Sequence, residues 1–223
     1  MSAMSEIENL KCDSFVEAKK VSLPVVDETQ SLVGTLVPIG EWIFDHKDII
    51  EQICNWRQKA MRYFLSQFES TIARTESYLR ELSIQDQGRV LFLIFSTDEL
   101  LVGHIGIKDV DGLSGGVDNA MRGRSGGHPK LIFFSEKAIL KWCFQSLQLS
   151  LVHLEVLSFN AMSIELHSEF GFTTDLKLPL RKENRDGDIL HLPVRAPEAN
   201  VDYTCNRMTL TKERYMSSCE SVD

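Results

Sequence analysis

Apolar and polar positions along this chain follow two periods. Between 46 and 68, Ile49, Ile50, Ile53, Trp56, Ala60, Met61, Phe64 and Leu65 recur at steps of three and four, a stripe of helical width. Ser70 and Thr71 restart the chain, and Ile72, Thr75, Tyr78, Leu79 and Leu82 mark a second helix that ends at 85–88. The run 90–95 is apolar without interruption, which predicts a strand buried on both faces. A tight connection at 96–99 leads to its hairpin partner, 100–110, and a turn at 111–116 leads to a further strand, 117–121. Earlier, 32–39 reads as a strand; later, 175–180 and 189–194 flank a charged turn at 181–188, and 203–211 reads as the last strand. Strands first run as a meander, then a strand–helix–strand unit follows, then antiparallel strands return, which predicts a mixed, mostly antiparallel α+β sheet.

The stretch 116–172 organises the rest. It reads as strand 117–121, a turn at 122–128 with three glycines and two arginines, helix 130–149, strand 151–157, helix 161–170, then Gly171-Phe172. Pro129 suits the first turn of that helix, where its missing N–H has no intrahelical use. A glycine-rich turn running into a helix N-terminus offers several N–H groups and a positive dipole end to one point, and the natural ligand there is a phosphate. The turn lacks Gly-Lys-Ser/Thr, and Gly123, Gly126 and Gly127 do not form Gly-x-Gly-x-x-Gly.

The order of residues resembles the signature of the GNAT superfamily, the acyl-CoA-dependent N-acyltransferases. Its elements are matched by Met121-Arg122-Gly123-Arg124-Ser125-Gly126-Gly127, Leu154-Glu155-Val156, Asn160, Ser163-Ile164 and Glu169-Phe170-Gly171-Phe172. The match to the family's Arg/Gln-x-x-Gly-x-Gly/Ala turn runs in two registers. With Arg122 opening it, Ser125 stands where the family has Gly; with Arg124 opening it, Gly127 fits and Pro129 takes the sixth place. The resemblance implies a GNAT-type sheet flanked by helices on both faces and acetyl-CoA as acyl donor. It also implies that the 122–128 turn holds the pyrophosphate, through Arg122, Gly123, Arg124, Ser125, Gly126 and Gly127. The backbone at Asn119, Ala120 and Met121 would then carry the pantetheine arm as another strand would.

The same resemblance supplies roles for side chains. A GNAT acceptor amine must lose its proton, which makes Asp118 the candidate base; the alternative is a carboxylate tying down the 111–116 turn. Asn160 matches a pantetheine neighbour and is also a good N-cap for the helix after it. His167 stands where many relatives carry a Tyr that protonates the leaving thiolate, and an imidazole can act as a general acid near neutral pH. Some members that acylate amino sugars on nucleotide carriers have a Trp-Arg pair like Trp56-Arg57, so Arg57, with His104 as a further cleft-side residue, is a candidate for acceptor binding. The expected acceptor is a small-molecule amine, first an amino sugar and second a protein or peptide amine. An acyl-CoA-binding module without turnover is the alternative of another class.

Composition narrows the picture further. At 223 residues, with 43% hydrophobic and 25% charged, the chain suits one domain of ordinary size. Its expected limits are 31–211, with 1–30 as a mobile arm and 212–223 as a polar tail. A net charge of −8 argues against nucleic acid as the main partner, and a basic peptide would suit it better. No apolar run reaches membrane-spanning length and the start lacks the pattern of a secretion signal. The five cysteines are scattered without a Cys-x-x-Cys pair and the six histidines show no ligand spacing, so neither a metal nor a disulfide framework is expected. A cytoplasmic enzyme is the expectation, with a homodimer allowed for.

Overall fold

A computed structural model of the chain describes residues 2–220. In chain order the helices are α1 (Ala3–Leu10), α2 (Phe15–Lys20), α3 (Lys47–Ala60), α4 (Ile72–Ser77), α5 (Leu131–Gln145), α6 (Ala161–Glu169) and α7 (Lys212–Glu220). The strands are β1 (Leu23–Val26), β2 (Leu32–Pro38), β3 (Ser66–Gln67), β4 (Val90–Ser96), β5 (Leu101–Lys108), β6 (Ser114–Arg122), β7 (Leu151–Leu157), β8 (Thr173–Arg185), β9 (Asp188–Pro193) and β10 (Thr204–Thr211). The fold is α+β with mostly antiparallel strands. The described residues form two compact units, one made of the chain up to Cys54 and Thr71–Val152, the other of Asn55–Ser70 and the chain from His153.

The first unit carries strands in the order β1-β2-β4-β5-β6, every neighbouring pair antiparallel. β4 is the buried strand that its apolar run predicts: Val90, Leu91, Phe92, Leu93 and Ile94 are all buried. α5 packs across this sheet, and its Leu131, Phe134, Ile139, Leu140, Cys143 and Phe144 are closed off from solvent. Trp142 meets Phe92 edge to face at 5.7 Å. Each such large side chain contributes roughly 1.5–3 kcal/mol on burial, which makes the α5–sheet layer the stabilising core of the unit. β5 lies close to β6 because Gly103 has no side chain; a Cβ there would stand 2.1 Å from the Met121 carbonyl oxygen.

Residues 2–30, expected within a mobile arm 1–30, are instead part of the first unit. Ile7, Ala18 and Val25 are fully buried, and β1 pairs with β2. Lys11 donates to the Asp86 carbonyl at 2.6 Å, and burial pulls its pKa below the ordinary lysine value, with Glu8 opposing. Polar composition hid these few anchors, since three or four apolar side chains are enough to hold two short helices against a sheet. Gly40 completes the attachment, because a Cβ there would lie 2.1 Å from the Cys12 carbonyl oxygen. Gly40→Val is therefore expected to lift the N-terminal segment, at about 1–3 kcal/mol of overpacking. A melting temperature lower by several degrees, with faster proteolysis before residue 31, checks this; an unchanged melt refutes it.

The second unit carries strands in the order β7-β10-β8-β9-β3. β8, β9 and β10 pair antiparallel, and Leu157, Leu180 and Cys205 form a buried cluster beneath them. The charged turn expected at 181–188 is shorter than its composition suggests. β8 and β9 pair up to Arg185 and Asp188, leaving a two-residue turn of Asp186 and Gly187 with φ of 53° and 88°. An Asp-Gly pair is the hairpin signal that outweighs the charge of its flanks. The expected polar tail contributes α7, with Tyr215 buried; its last positions, 221–223, lie outside the described residues.

Candidate active site

The feature that sets β6 apart is a bulge. His104 pairs with Met121 and Gly106 with Asp118, so Asn119 and Ala120 together face the single residue Ile105. Asn119 takes φ 52°, a left-handed conformation that Asn tolerates better than other residues with a Cβ. A bulge of this kind takes its extra residue out of the ladder and turns its backbone groups to other uses.

Asn119 is held at several points. Its carbonyl accepts a hydrogen bond from His104 Nδ1 at 2.7 Å, which fixes the proton on that ring nitrogen because a carbonyl only accepts. Its Nδ2 donates to Tyr78 Oη at 2.7 Å and to Asp118 Oδ2 at 2.8 Å. Arg89 Nη1 donates to the same Asp118 oxygen at 3.1 Å, and Lys108 Nζ stands 3.9 Å from Asp118 Oδ1. Burial works against the Arg89 charge, but Tyr78 and Asp118 outweigh it and hold its pKa above the ordinary arginine value. Tyr78 opens a π-helical segment, Tyr78–Ile84, a geometry frequent at functional sites.

After β6 the turn divides its amides between two tasks. Gly123 and Arg124 both donate to the Val102 carbonyl, at 2.9 and 3.1 Å, and so extend the sheet. Arg122 folds back over the turn, donating through Nη2 to the Gly126 carbonyl at 2.6 Å and through Nη1 to that of Pro129 at 3.2 Å. The amides of Ser125, Gly126, Gly127 and His128 donate to no protein acceptor among the described residues. Gly126 and Gly127 have φ of 130° and 64°, and a Cβ would meet Leu100 Cδ2 at 2.3 Å or Ser96 Cβ at 2.8 Å respectively. Leu100 and Ser96 thus leave room for backbone only at these two positions, and consecutive N–H groups in a turn can make an anion nest. α5 opens just beyond it with no side-chain cap. Both arginines are exposed, but Arg122 is engaged as a brace.

Of the remaining expected residues, Asn160, His167 and Arg57 lie in the second unit and His104 in the first. Asn160 caps α6, its Oδ1 accepting from the Ser163 amide at 3.4 Å. His167 is 4% exposed and stands edge-on to Phe172 with ring centroids 5.7 Å apart. Arg57 has its guanidinium carbon over Phe64, 3.3 Å from the ring centre, and donates to the Ser66 carbonyl at 3.1 Å. Its guanidinium thus organises the segment that follows α3. His104, expected at the acceptor side, is 3% exposed and turned to Asn119. Tyr78 and Arg89 escaped the sequence reading. Tyr78 fits an apolar helical stripe, and nothing in the sequence ties it to a residue 41 positions away.

Other chemistries find little footing. Burial pushes the Cys143 thiol far above the usual range, so it is no nucleophile. Among the described residues no three His, Cys, Asp or Glu side chains cluster as a metal would need, and no helix is long and apolar enough to cross a membrane.

Residues 36–173 match the family model of the acetyltransferase (GNAT) domain. The chain belongs to the GNAT family. It is an acetyltransferase of the class that uses acyl-CoA. No curated protein sequence matches it. Among solved structures it is similar to a GCN5-related N-acetyltransferase from Brucella melitensis, with TM-score 0.63 and 11% identity over 91% of this chain and 88% of that one. Apo FdhC, described as a nucleotide-linked sugar GNAT, gives TM-score 0.58 and 14% identity over 85% and 93%. The spermidine N-acetyltransferase from Vibrio cholerae, in complex with CoA and spermine, gives 0.54 and 15% over 77% and 93%. At such identities the likeness is one of fold, and these GNAT structures share it across different acceptors.

Proposed function

We propose that this GNAT enzyme transfers an acetyl group from acetyl-CoA to the primary amine of an amino sugar, free or nucleotide-linked, by direct attack of the amine. The observation that carries the reading is the succession, on one strand and its turn, of the Asn119 bulge and the four amides of Ser125 to His128. They suit the two ends of one ligand, an acyl carbonyl and a pyrophosphate, with the backbone of Ala120 and Met121 between them. The fit rests on the turn's own build: glycines where a side chain would collide, amides without protein acceptors, and Arg124 beside them.

Acetyl-CoA supplies an activated acetyl carbonyl. In this reading the Ser125–His128 amides and Arg124 bind its phosphates, while Arg122 and Gly123 brace the turn. The bulge amides face the carbonyl oxygen as negative charge develops there, which is where preorganised donors act most strongly. Asp118 takes the proton of the acceptor amine by way of a water on Oδ1, since Oδ2 is held by Arg89 and Asn119. His167 gives a proton to the departing sulfur, and Asn160 serves the pantetheine while capping α6. Arg57 serves the acceptor indirectly, by holding the segment around Phe64 and Ser66. No acyl-enzyme forms, in keeping with the protonated Cys143. Support for the sugar comes from the likeness to FdhC. The net charge of −8 favours a second reading, a cationic peptide amine.

Thiol release from acetyl-CoA, measured with free and nucleotide-linked amino sugars, polyamines and lysine peptides, tests the proposal. The expected result is a kcat/KM for an amino sugar at least tenfold above the others. A peptide or polyamine in first place overturns the choice of acceptor. Binding of acetyl-CoA by calorimetry with no thiol released by any amine makes the protein a binding module.

A further inference from the structure

Asn119 is a half-buried strand residue with a Cβ in a left-handed conformation, held from both sides. On one side His104, 3% exposed, donates to its carbonyl. On the other, its amide side chain bridges Asp118 and Tyr78. The polarity of that bridge is fixed by its chemistry. Asp118, paired with Arg89, can only accept, so the atom between it and Tyr78 is the amino group of Asn119. The phenol oxygen of Tyr78 is therefore the acceptor, and Arg89 holds the other partner of the bridge, Asp118 Oδ2, at 3.1 Å. A disfavoured backbone conformation persists only where its surroundings over-determine it, and here side chains from β5, β6 and the π-helical segment do so, with Arg89, just before β4, fixing Asp118.

We propose that Tyr78 and His104 are positioning residues for acyl transfer, holding the Asn119 peptide in the shape that presents the bulge amides to the thioester carbonyl. The inference rests on the acetyl-CoA reading above and adds two residues to it. Tyr78 and His104 act through Asn119 and touch neither substrate. Their contribution is to the transition state, where a donor displaced by a fraction of an ångström no longer meets the growing charge. Binding of the cofactor's phosphates at Ser125–His128 does not depend on them.

The variants Tyr78→Phe, His104→Leu and His104→Asn test this. Phenylalanine removes only the oxygen that Asn119 donates to, leucine removes the donor to the Asn119 carbonyl, and asparagine can place an N–H where Nδ1 was. Two readouts serve: kcat with the amine found above, and the infrared carbonyl band of [1-13C]acetyl-CoA bound to the protein, which reports hydrogen bonding to the thioester without any turnover. The expected result for Tyr78→Phe and His104→Leu is a kcat at least tenfold lower, a carbonyl band shifted towards that of free acetyl-CoA, and a calorimetric Kd for acetyl-CoA within about threefold of wild type. His104→Asn recovers part of both, and the double variant Tyr78→Phe/His104→Leu is little worse than the worse single one, because both act on one bulge. The proposal is overturned if the band is the same in wild type and variants, or if kcat, affinity for acetyl-CoA and melting temperature fall together. A wild type that binds acetyl-CoA and acetylates nothing removes the enzymatic reading, and the band still decides whether Tyr78 and His104 shape the bulge.

Discussion

Gly127→Val is expected to lower the affinity for acetyl-CoA by one to two orders of magnitude while leaving the protein folded. Gly127 holds φ 64°, and any side chain would start 2.8 Å from the Ser96 Cβ. A residue with a Cβ costs about 1–2 kcal/mol in the left-handed region, and a β-branched one more. The turn relieves that strain by leaving the conformation in which Ser125, Gly126, Gly127 and His128 aim their amides together, and each 1.4 kcal/mol lost is about a factor of ten in Kd. Calorimetric titration with CoA and with dephospho-CoA checks it. Both should weaken alike, because the pyrophosphate is common to them. Arg124→Ala should weaken binding less, since the side chain is exposed and its charge screened. Unchanged affinity in Gly127→Val would move the pyrophosphate to another part of the chain.

His167→Ala is expected to cut turnover by about 10²–10⁴-fold, the range of a general acid, with acetyl-CoA affinity nearly unchanged. Because His167 is almost closed to solvent and packs on Phe172, alanine also leaves a hole, so the rate alone does not separate chemistry from packing. His167→Phe fills the space and carries no proton; it should stay folded and remain slow. His167→Tyr fills it and supplies a hydroxyl, and should recover part of the rate. A phenylalanine variant as fast as wild type would make the imidazole a packing residue and leave the thiolate to take its proton from water.

What could be read in advance follows the range of the forces involved. The uninterrupted apolar run at 90–95 and the three-and-four spacing at 131–144 come from burial against whatever lies opposite, so β4 and α5 need no knowledge of their partners. The N-terminal helices went unrecognised because their buried residues, Ala3, Ile7, Leu10 and Ala18, are too few to make a period. The 122–128 turn was legible as an anion site, but not which of its amides serve. That depends on Val102, a residue of another strand, taking up the amides of Gly123 and Arg124. Arg122 and Arg124 look equivalent in the sequence and both are exposed; the fold of the turn makes Arg122 the brace.

The sequence by itself determined the elements from β4 to α6 and the place of the glycine turn, because periodicity, glycine and proline act within a few residues of one another, and its motif order carried the resemblance to the family. The tertiary structure alone decided the state of Asn119. Its left-handed bulge exists through His104, 15 residues away, and Tyr78, 41 residues away, and through a carboxylate that Arg89 keeps in place. Hydrogen bonds between residues so far apart leave no periodic trace, since each needs only one donor and one acceptor brought within 3 Å by the packing of strands.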